Sequence, residues 1–292
     1  MRRVLLAIAM LGMAASAQAA DMPDDFPVLR GSFSPTTSWS GWYAGGTVAY
    51  NSSAQNFSGA LTGLTNFIYR DTTLEGPTSG LTALGKATTQ GTGFGAFVGR
   101  NWQWADVILG IEANYNYMSR LSAYSSSSLG PLLITNPPGE NPVAGTSDTY
   151  SVKLVGNATA TLQDMITFRG RAGYAWGDIM PYMFGGLAVG RMDVERSVTT
   201  TTTKRVDTTT TDIFGNTVTV IGTPQTVPAL TTTMTQGRTN NFVVGWTGGL
   251  GFEFRIWDGL FARAEYEHIG FMPIENVTVT VDSVRAGLGY KF

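Results

Sequence analysis

The sequence predicts an all-β protein, an eight-stranded antiparallel up-and-down barrel that crosses a membrane with its strands. Three observations predict it. Segments of about ten residues alternate apolar and polar side chains, the signature of a membrane-spanning strand. Short turns alternate with long connections between those segments. Only 14% of the 292 residues are charged, while 36 are glycine and 11% are aromatic, against about 25% charge in an ordinary soluble domain.

The composition also excludes whole classes of chemistry. With no cysteine, disulfide frameworks, thiolate zinc sites, iron–sulfur clusters and thiol catalysis are absent. One histidine leaves little from which to build a His-rich metal site or a Ser-His-Asp arrangement. A net charge of −2 offers no footprint for nucleic acid.

The chain opens on a basic start at Arg2 and Arg3, an apolar run from Val4 to Ala15 and the small-residue site Ala17-Gln18-Ala19. This reads as a signal peptide over residues 1–19, whose removal leaves 17 basic and 21 acidic residues. Residues 20–41, with Pro23, Pro27 and Pro35, lack periodicity and read as a flexible periplasmic leader before a barrel over 42–292. Beyond the signal, no apolar run of 18 residues offers a membrane helix.

The first segment, Trp42 to Asn51, sets Trp42, Ala44, Val48 and Tyr50 against Gly45, Thr47 and Asn51. In the second, Thr92 to Asn101, glycine and apolar residues leave the facing open. The third, Val107 to Met118, opposes Val107, Leu109, Ile111, Tyr115 and Tyr117 to Glu112, Asn114 and Asn116. In the fourth, Met165 to Tyr174, Ile166, Phe168 and Tyr174 oppose Thr167, Arg169 and Arg171. The fifth, Ile179 to Val194, leaves its register open. The sixth, Phe242 to Arg255, sets Val244, Trp246, Leu250 and Phe252 against Thr247, Glu253 and Arg255. The seventh, Leu260 to His268, opposes Ala262, Ala264 and Tyr266 to Arg263, Glu265 and Glu267. The eighth, Asp282 to Phe292, opposes Val284, Leu288, Tyr290 and Phe292 to Ser283, Arg285 and Lys291. A soluble sandwich or lipocalin-like barrel would turn the larger apolar face inward. Charge on the opposite parity of five segments favours lipid outside.

The connections complete the architecture. Residues 102–106, 175–178 and 256–259 are short and carry Gly or Asp turn chemistry, whereas 52–91, 119–164 and 195–241 read as long loops. Trp39, Trp42, Trp102, Trp104, Trp176 and Trp257 then fall at the turn end as an aromatic girdle. Within 195–241, eighteen threonines lie between Ser197 and Asn240. Threonine favours strands, so with Phe214-Gly215-Asn216 as a turn this hairpin is expected to continue beyond the membrane.

SGWYAGGTVAYN at 40–51, FVGRNWQW at 97–104, ILGIEANYNY at 108–117, FRGRAGYAWGDIMPYMFGGLAVG at 168–190 and the terminal VRAGLGYKF carry a resemblance. They resemble the small outer-membrane β-barrel proteins of alphaproteobacteria, the RopB-related immunogenic and porin-family surface proteins, with a distant likeness to the OmpA transmembrane domain. The resemblance covers strands and turns but not the long loops. It implies the outer membrane of a Gram-negative bacterium, contact with membrane lipid and lipopolysaccharide, and recognition of Leu288, Tyr290 and Phe292 by the barrel-assembly machinery. Arg100 departs from the pattern, standing where such proteins commonly have an aromatic residue.

The inferred inward set is Glu112, Arg169, Arg171, Glu253, Arg255, Arg263, Glu265, Glu267 and Arg285. Eight strands enclose a space that side chains fill, so these charges are expected to pair into a ladder that plugs the lumen. The alternative is a narrow porin passing small solutes along them. His268 invites a haemin-binding reading, since some relatives bind haemin, but a single histidine without neighbouring ligands favours an interfacial role. Glu265 and Glu267 share a face as an acid–base pair would, but Arg263 shares it too, and ion pairing is the better account. No catalytic, cofactor or metal residue is assigned and no enzyme activity is expected. The expected role is structural, with host, phage or self contacts through the loops.

Overall fold

The structure is a computed structural model describing residues 38–292, Thr82 and the side chain of Arg120 excepted. The expected signal peptide and the leader as far as residue 37 lie outside the described residues.

Eight long strands build the fold: β1 Gly41–Asn56, β2 Lys86–Trp104, β3 Val107–Thr135, β4 Thr146–Tyr174, β5 Ile179–Thr211, β6 Thr232–Arg255, β7 Leu260–Phe271 and β8 Thr278–Lys291. Each pairs antiparallel with its chain neighbours. β8 returns to β1, with Tyr43 opposite Lys291 and Asn56 opposite Thr278, and the sheet closes. Closure satisfies the backbone polar groups that a lipid core could not hydrate. The turns lie at Ala105–Asp106, around the Trp176–Ile179 bridge, and between Arg255 and Leu260.

Around the turn end the outer face is apolar: Val98, Leu109, Ile111, Phe168, Met183, Leu187, Leu250, Phe252, Val284 and Leu288 are exposed. Their strand neighbours point inward. The two strands with open facing are fixed as well. β2 sends Phe94, Val98 and Arg100 outward and Phe97 and Asn101 inward, and β5 sends Ile179, Met183 and Leu187 outward and Met180, Tyr182 and Phe184 inward.

A tilted membrane-spanning strand needs about 9–11 residues, whereas β3 and β4 have 29 each, β5 has 33 and β6 has 24. The surplus rises past the lipid band as a four-stranded wall. Residues 119–164, read from the sequence as a long connection, are mostly ladder, with only 136–145 between β3 and β4. The 195–241 hairpin continues as its threonines indicate. Thr208–Thr211 pair with Thr217–Val220, and the Asp212 carboxylate accepts the backbone N–H groups of Phe214 and Asn216 around Gly215 at φ 83°.

At the foot of this wall the two faces exchange character. Leu162 pairs with Met192 and Asp164 with Arg191, leaving Gln163 unmatched. β3 shifts register at the same height, between Tyr117 and Leu121, and the β5–β6 ladder shifts between Met192 and Val194. Below the bulge, Thr167, Arg169 and Arg171 point inward; above it, Leu162, Ala160, Ala158, Leu154 and Val152 do. The wall thus carries an apolar inner face and a polar outer one, the arrangement of a water-soluble barrel.

The first loop covers that inner face. It contains α1 Thr62–Tyr69 and α2 Glu75–Thr78. Phe57, Leu61, Leu64, Tyr69 and Leu74 join Leu121, Leu154, Leu162, Val194, Val198, Val277 and Val279 in one buried apolar core. The Tyr69 hydroxyl lies 3.0 Å from Thr202 Oγ1, and Arg196 donates to the Ala60 carbonyl at 2.7 Å. Full burial of side chains of this size stabilises by about 1.5–3 kcal/mol each, which makes the region a second hydrophobic core above the membrane band.

Candidate functional site: the barrel lumen

Strand alternation carries eight charges into the lumen from five strands: Glu112 on β3, Arg169 and Arg171 on β4, Glu253 on β6, Arg263, Glu265 and Glu267 on β7, and Arg285 on β8. All are buried. Four guanidiniums face four carboxylates, so the network is neutral, and buried charge is tolerable when it is matched and hydrogen-bonded.

Glu112 is its hub. Its Oε2 receives Arg263 Nη2 at 2.7 Å, Arg171 Nη1 at 3.1 Å and the Tyr43 hydroxyl at 2.8 Å. Its Oε1 receives Arg169 Nε at 2.9 Å and the Asn114 amide at 3.0 Å. Glu253 Oε1 joins Arg171 Nη2 at 2.7 Å to Arg263 Nη2 at 2.6 Å. Glu265 takes Arg169 Nη2 at 2.8 Å and the Tyr182 hydroxyl at 2.6 Å. Glu267 accepts from Thr247 Oγ1 at 2.6 Å and pairs with Arg285.

Aromatic rings pack the guanidinium faces. The Arg263 guanidinium carbon lies 3.8 Å from the Phe97 ring centre, Arg171 4.0 Å from Tyr182 and Arg169 4.1 Å from Phe184. Tyr43, Tyr182, Phe97 and Phe184 lie outside the expected set, which holds only charged residues; Phe97, Tyr182 and Phe184 belong to the two segments whose glycine and apolar content leaves their facing open, and Tyr43 is an aromatic residue on the inward parity of the first. Gly99 makes room for one of them: a Cβ there would lie 2.2 Å from the Tyr43 hydroxyl oxygen.

Two expected positions are corrected. Arg255 has inward parity but stands outside the network, half-buried at the turn-end mouth, where it donates to the Ser38 carbonyl at 3.3 Å. It sits two residues beyond Glu253, past the last facing carboxylate. Trp39, placed by the sequence with the girdle, is 4% exposed and closes the same mouth. Its backbone N–H donates to Gln103 Oε1 at 2.7 Å and its indole N–H to the Gly177 carbonyl at 3.3 Å. Trp42, Trp104, Trp176 and Trp257 are exposed, Trp102 is partly so, and all five stand at the turn end. Leu288, Tyr290 and Phe292 project outward from the last strand.

His268 faces outward near the loop end, with Nδ1 2.7 Å from Asp282 Oδ1 and its ring centre 5.2 Å from that of Trp246. Among the described residues no group of three His, Cys, Asp or Glu could hold a metal.

Along the axis the lumen is therefore filled in layers: Trp39 and its aromatic neighbours, the ion-pair network, a band of Asn51, Asn114, Asn116, Thr167 and Ser283, and then the apolar core. Such a stack is compatible with a plugged lumen.

The family model described as outer membrane protein beta-barrel domain matches residues 5–292. No curated protein matches. Among solved structures the chain is similar to Neisserial surface protein A, at 10% identity, 87% coverage of this chain and 98% of that one, with a TM-score of 0.34. It is similar to Ail, the attachment invasion locus protein of Yersinia pestis, solved with the heparin analogue sucrose octasulfate, at 12% identity, 86% and 99% coverage and a TM-score of 0.33. A third similarity is to the N-terminal β-barrel domain of Pseudomonas aeruginosa OprF, at 10% identity, 84% and 97% coverage and a TM-score of 0.25.

Proposed function

Because the chain belongs to the outer membrane protein beta-barrel domain family, and so to the outer membrane, we propose that it is a non-conducting barrel whose work is done at its extracellular surface. The observation that carries this reading is the 2.7 Å contact between Glu112 on β3 and Arg263 on β7. These strands stand four apart in a ring of eight, on opposite walls. A direct contact across the axis, packed by Tyr43, Phe97 and Tyr182, supports a lumen closed at that height. Glu265 and Glu267, the pair that would serve acid–base chemistry, are held by arginines and hydroxyls, which supports a role without catalysis.

The surface offers material for contacts. Residues 119–135 of β3 pair with β4 on one side, and residues 232–243 of β6 with β5 on one side, among the described residues. An unpaired ladder edge is a template for an added strand, which fits host, phage or self contacts through this wall. In the same reading residues 1–19 serve export, Leu288, Tyr290 and Phe292 are presented to the assembly machinery, and the strand motifs support a place beside the RopB-related proteins of alphaproteobacteria.

Planar-bilayer recording of the purified folded protein tests the plug. The expected result is a bare-membrane baseline. Stable, long-lived channels would overturn the reading in favour of a narrow porin.

A further inference from the structure

Arg100 lies on the lipid-facing surface. It belongs to the row Trp42, Arg100, Ile111, Gly170, which crosses four adjacent strands. Its guanidinium carbon lies 5.6 Å from the Trp42 ring centre and 5.2 Å from that of Trp102, and among the described residues it forms no ion pair with a carboxylate. A bare cation on the apolar band is unfavourable, least so near the interface.

The surface beside it is hollowed. In Arg100's own row Gly170 contributes no side chain, and in the next row Ala113 contributes a methyl group between Val98 and Phe168. The result is an apolar groove of about 410 Å³ bordered by Trp42, Val98, Arg100, Ile111 and Phe168. A Cβ on Gly170 would meet nothing nearer than the Gly185 carbonyl oxygen at 4.0 Å, so the hollow is open rather than occupied by a neighbour.

We propose that this groove binds one glycerophospholipid of the inner leaflet, with its phosphate on Arg100 and an acyl chain along the floor at Gly170. The two indoles fix the plane of the guanidinium, whose fork of N–H donors matches phosphate oxygens. Trp42 and Trp102 stand at the periplasmic interface, where amphipathic rings meet headgroups, and this depth selects the inner leaflet rather than the lipopolysaccharide opposite. The proposal needs only the membrane-spanning outer surface and is independent of whether the lumen conducts.

The test is native mass spectrometry of the full folded protein released from vesicles of phosphatidylglycerol and phosphatidylethanolamine. The wild-type barrel is expected to retain one phospholipid. Arg100→Leu removes the phosphate partner and Gly170→Leu fills the groove while sparing the charge. Each is expected to lower retention about tenfold, with folding of each variant verified by the heat-dependent electrophoretic shift of an intact barrel. Retention at the wild-type level in either folded variant, or equal retention of phosphate-free diacylglycerol by the wild type, would overturn the proposal.

Discussion

On β4, Leu162 and Asp164 face Met192 and Arg191 of β5, with Gln163 left unmatched between them. This one residue lets the same strand present arginines to the lumen below and leucines to the inner core above. Strand faces alternate with a period of two, and the unpaired Gln163 shifts that alternation by one position. Deleting Gln163 is expected to bring Leu162 directly beside Asp164 in a regular ladder and to keep Leu162, Ala160, Ala158 and Leu154 on the inner face. Hydrogen exchange should stay slow over both residues 146–162 and 165–174; accelerated exchange in the upper half would refute the role given to the bulge.

Glu112 holds three guanidiniums at once. Glu112→Gln would leave four buried arginines against three carboxylates. The expected loss is about 3–5 kcal/mol of stability, the usual consequence of stripping one partner from a buried charge cluster. The urea midpoint for unfolding in lipid vesicles reads this directly.

The extracellular core makes a separate prediction. Leu154 is buried among the side chains of the wall and the first loop, away from lipid. Leu154→Ala should cost about 2–5 kcal/mol through lost contact and a residual cavity. That cost is expected to appear as faster proteolysis of the first loop, with membrane insertion unchanged.

Near the top of the wall, Lys204 Nζ lies 2.7 Å from Glu140 and 2.8 Å from Asp148, and Glu140 also accepts from Tyr150 and from Thr73 of the first loop. The hydrogen bond from Lys204 leads the causes that hold the Glu140 carboxyl below its ordinary value of 4.5, and its two carboxylate partners raise Lys204. A carboxylate depressed in the folded state contributes stability that is present above its unfolded pKa and lost as pH falls through the folded one. Protection of residues 136–145, taken relative to the intrinsic exchange rate at each pH, is therefore expected to be high at neutral pH and to fall on acidification below about 4.5. Glu140→Gln should remove that dependence.

The membrane half of this fold was legible because lipid imposes a strict rule on it. Val284, Leu288, Tyr290 and Phe292 must alternate with inward residues, and the eight paired charges stand out against that pattern. The upper half follows a different rule. Above Gln163 the inner face becomes apolar and the outer face takes Ser, Thr and Asn, so one periodicity read across the bulge cancels itself. The run Ser125–Ser128 has the composition of a loop and is held as strand by pairing with Val155–Ala158. α1 is eight residues long and derives its order from the wall it covers, an influence that no local pattern records. Arg255 shows the same limit at the other end: parity gave its direction, while its partner depended on how far the carboxylates extend down the axis.

The unbroken run of β5 from Arg191 to Thr211 spans about 65 Å at the usual rise per residue. A molecule attached at the Phe214 tip and pulled away from the cell would put tension along the strand direction. The β4–β5 ladder would then be loaded in shear, with many hydrogen bonds sharing the force, whereas a coiled loop would stretch without resistance. The threonine hairpin is thus a stiff handle, able to transmit mechanical load from the cell's surroundings to the barrel anchored in its outer membrane.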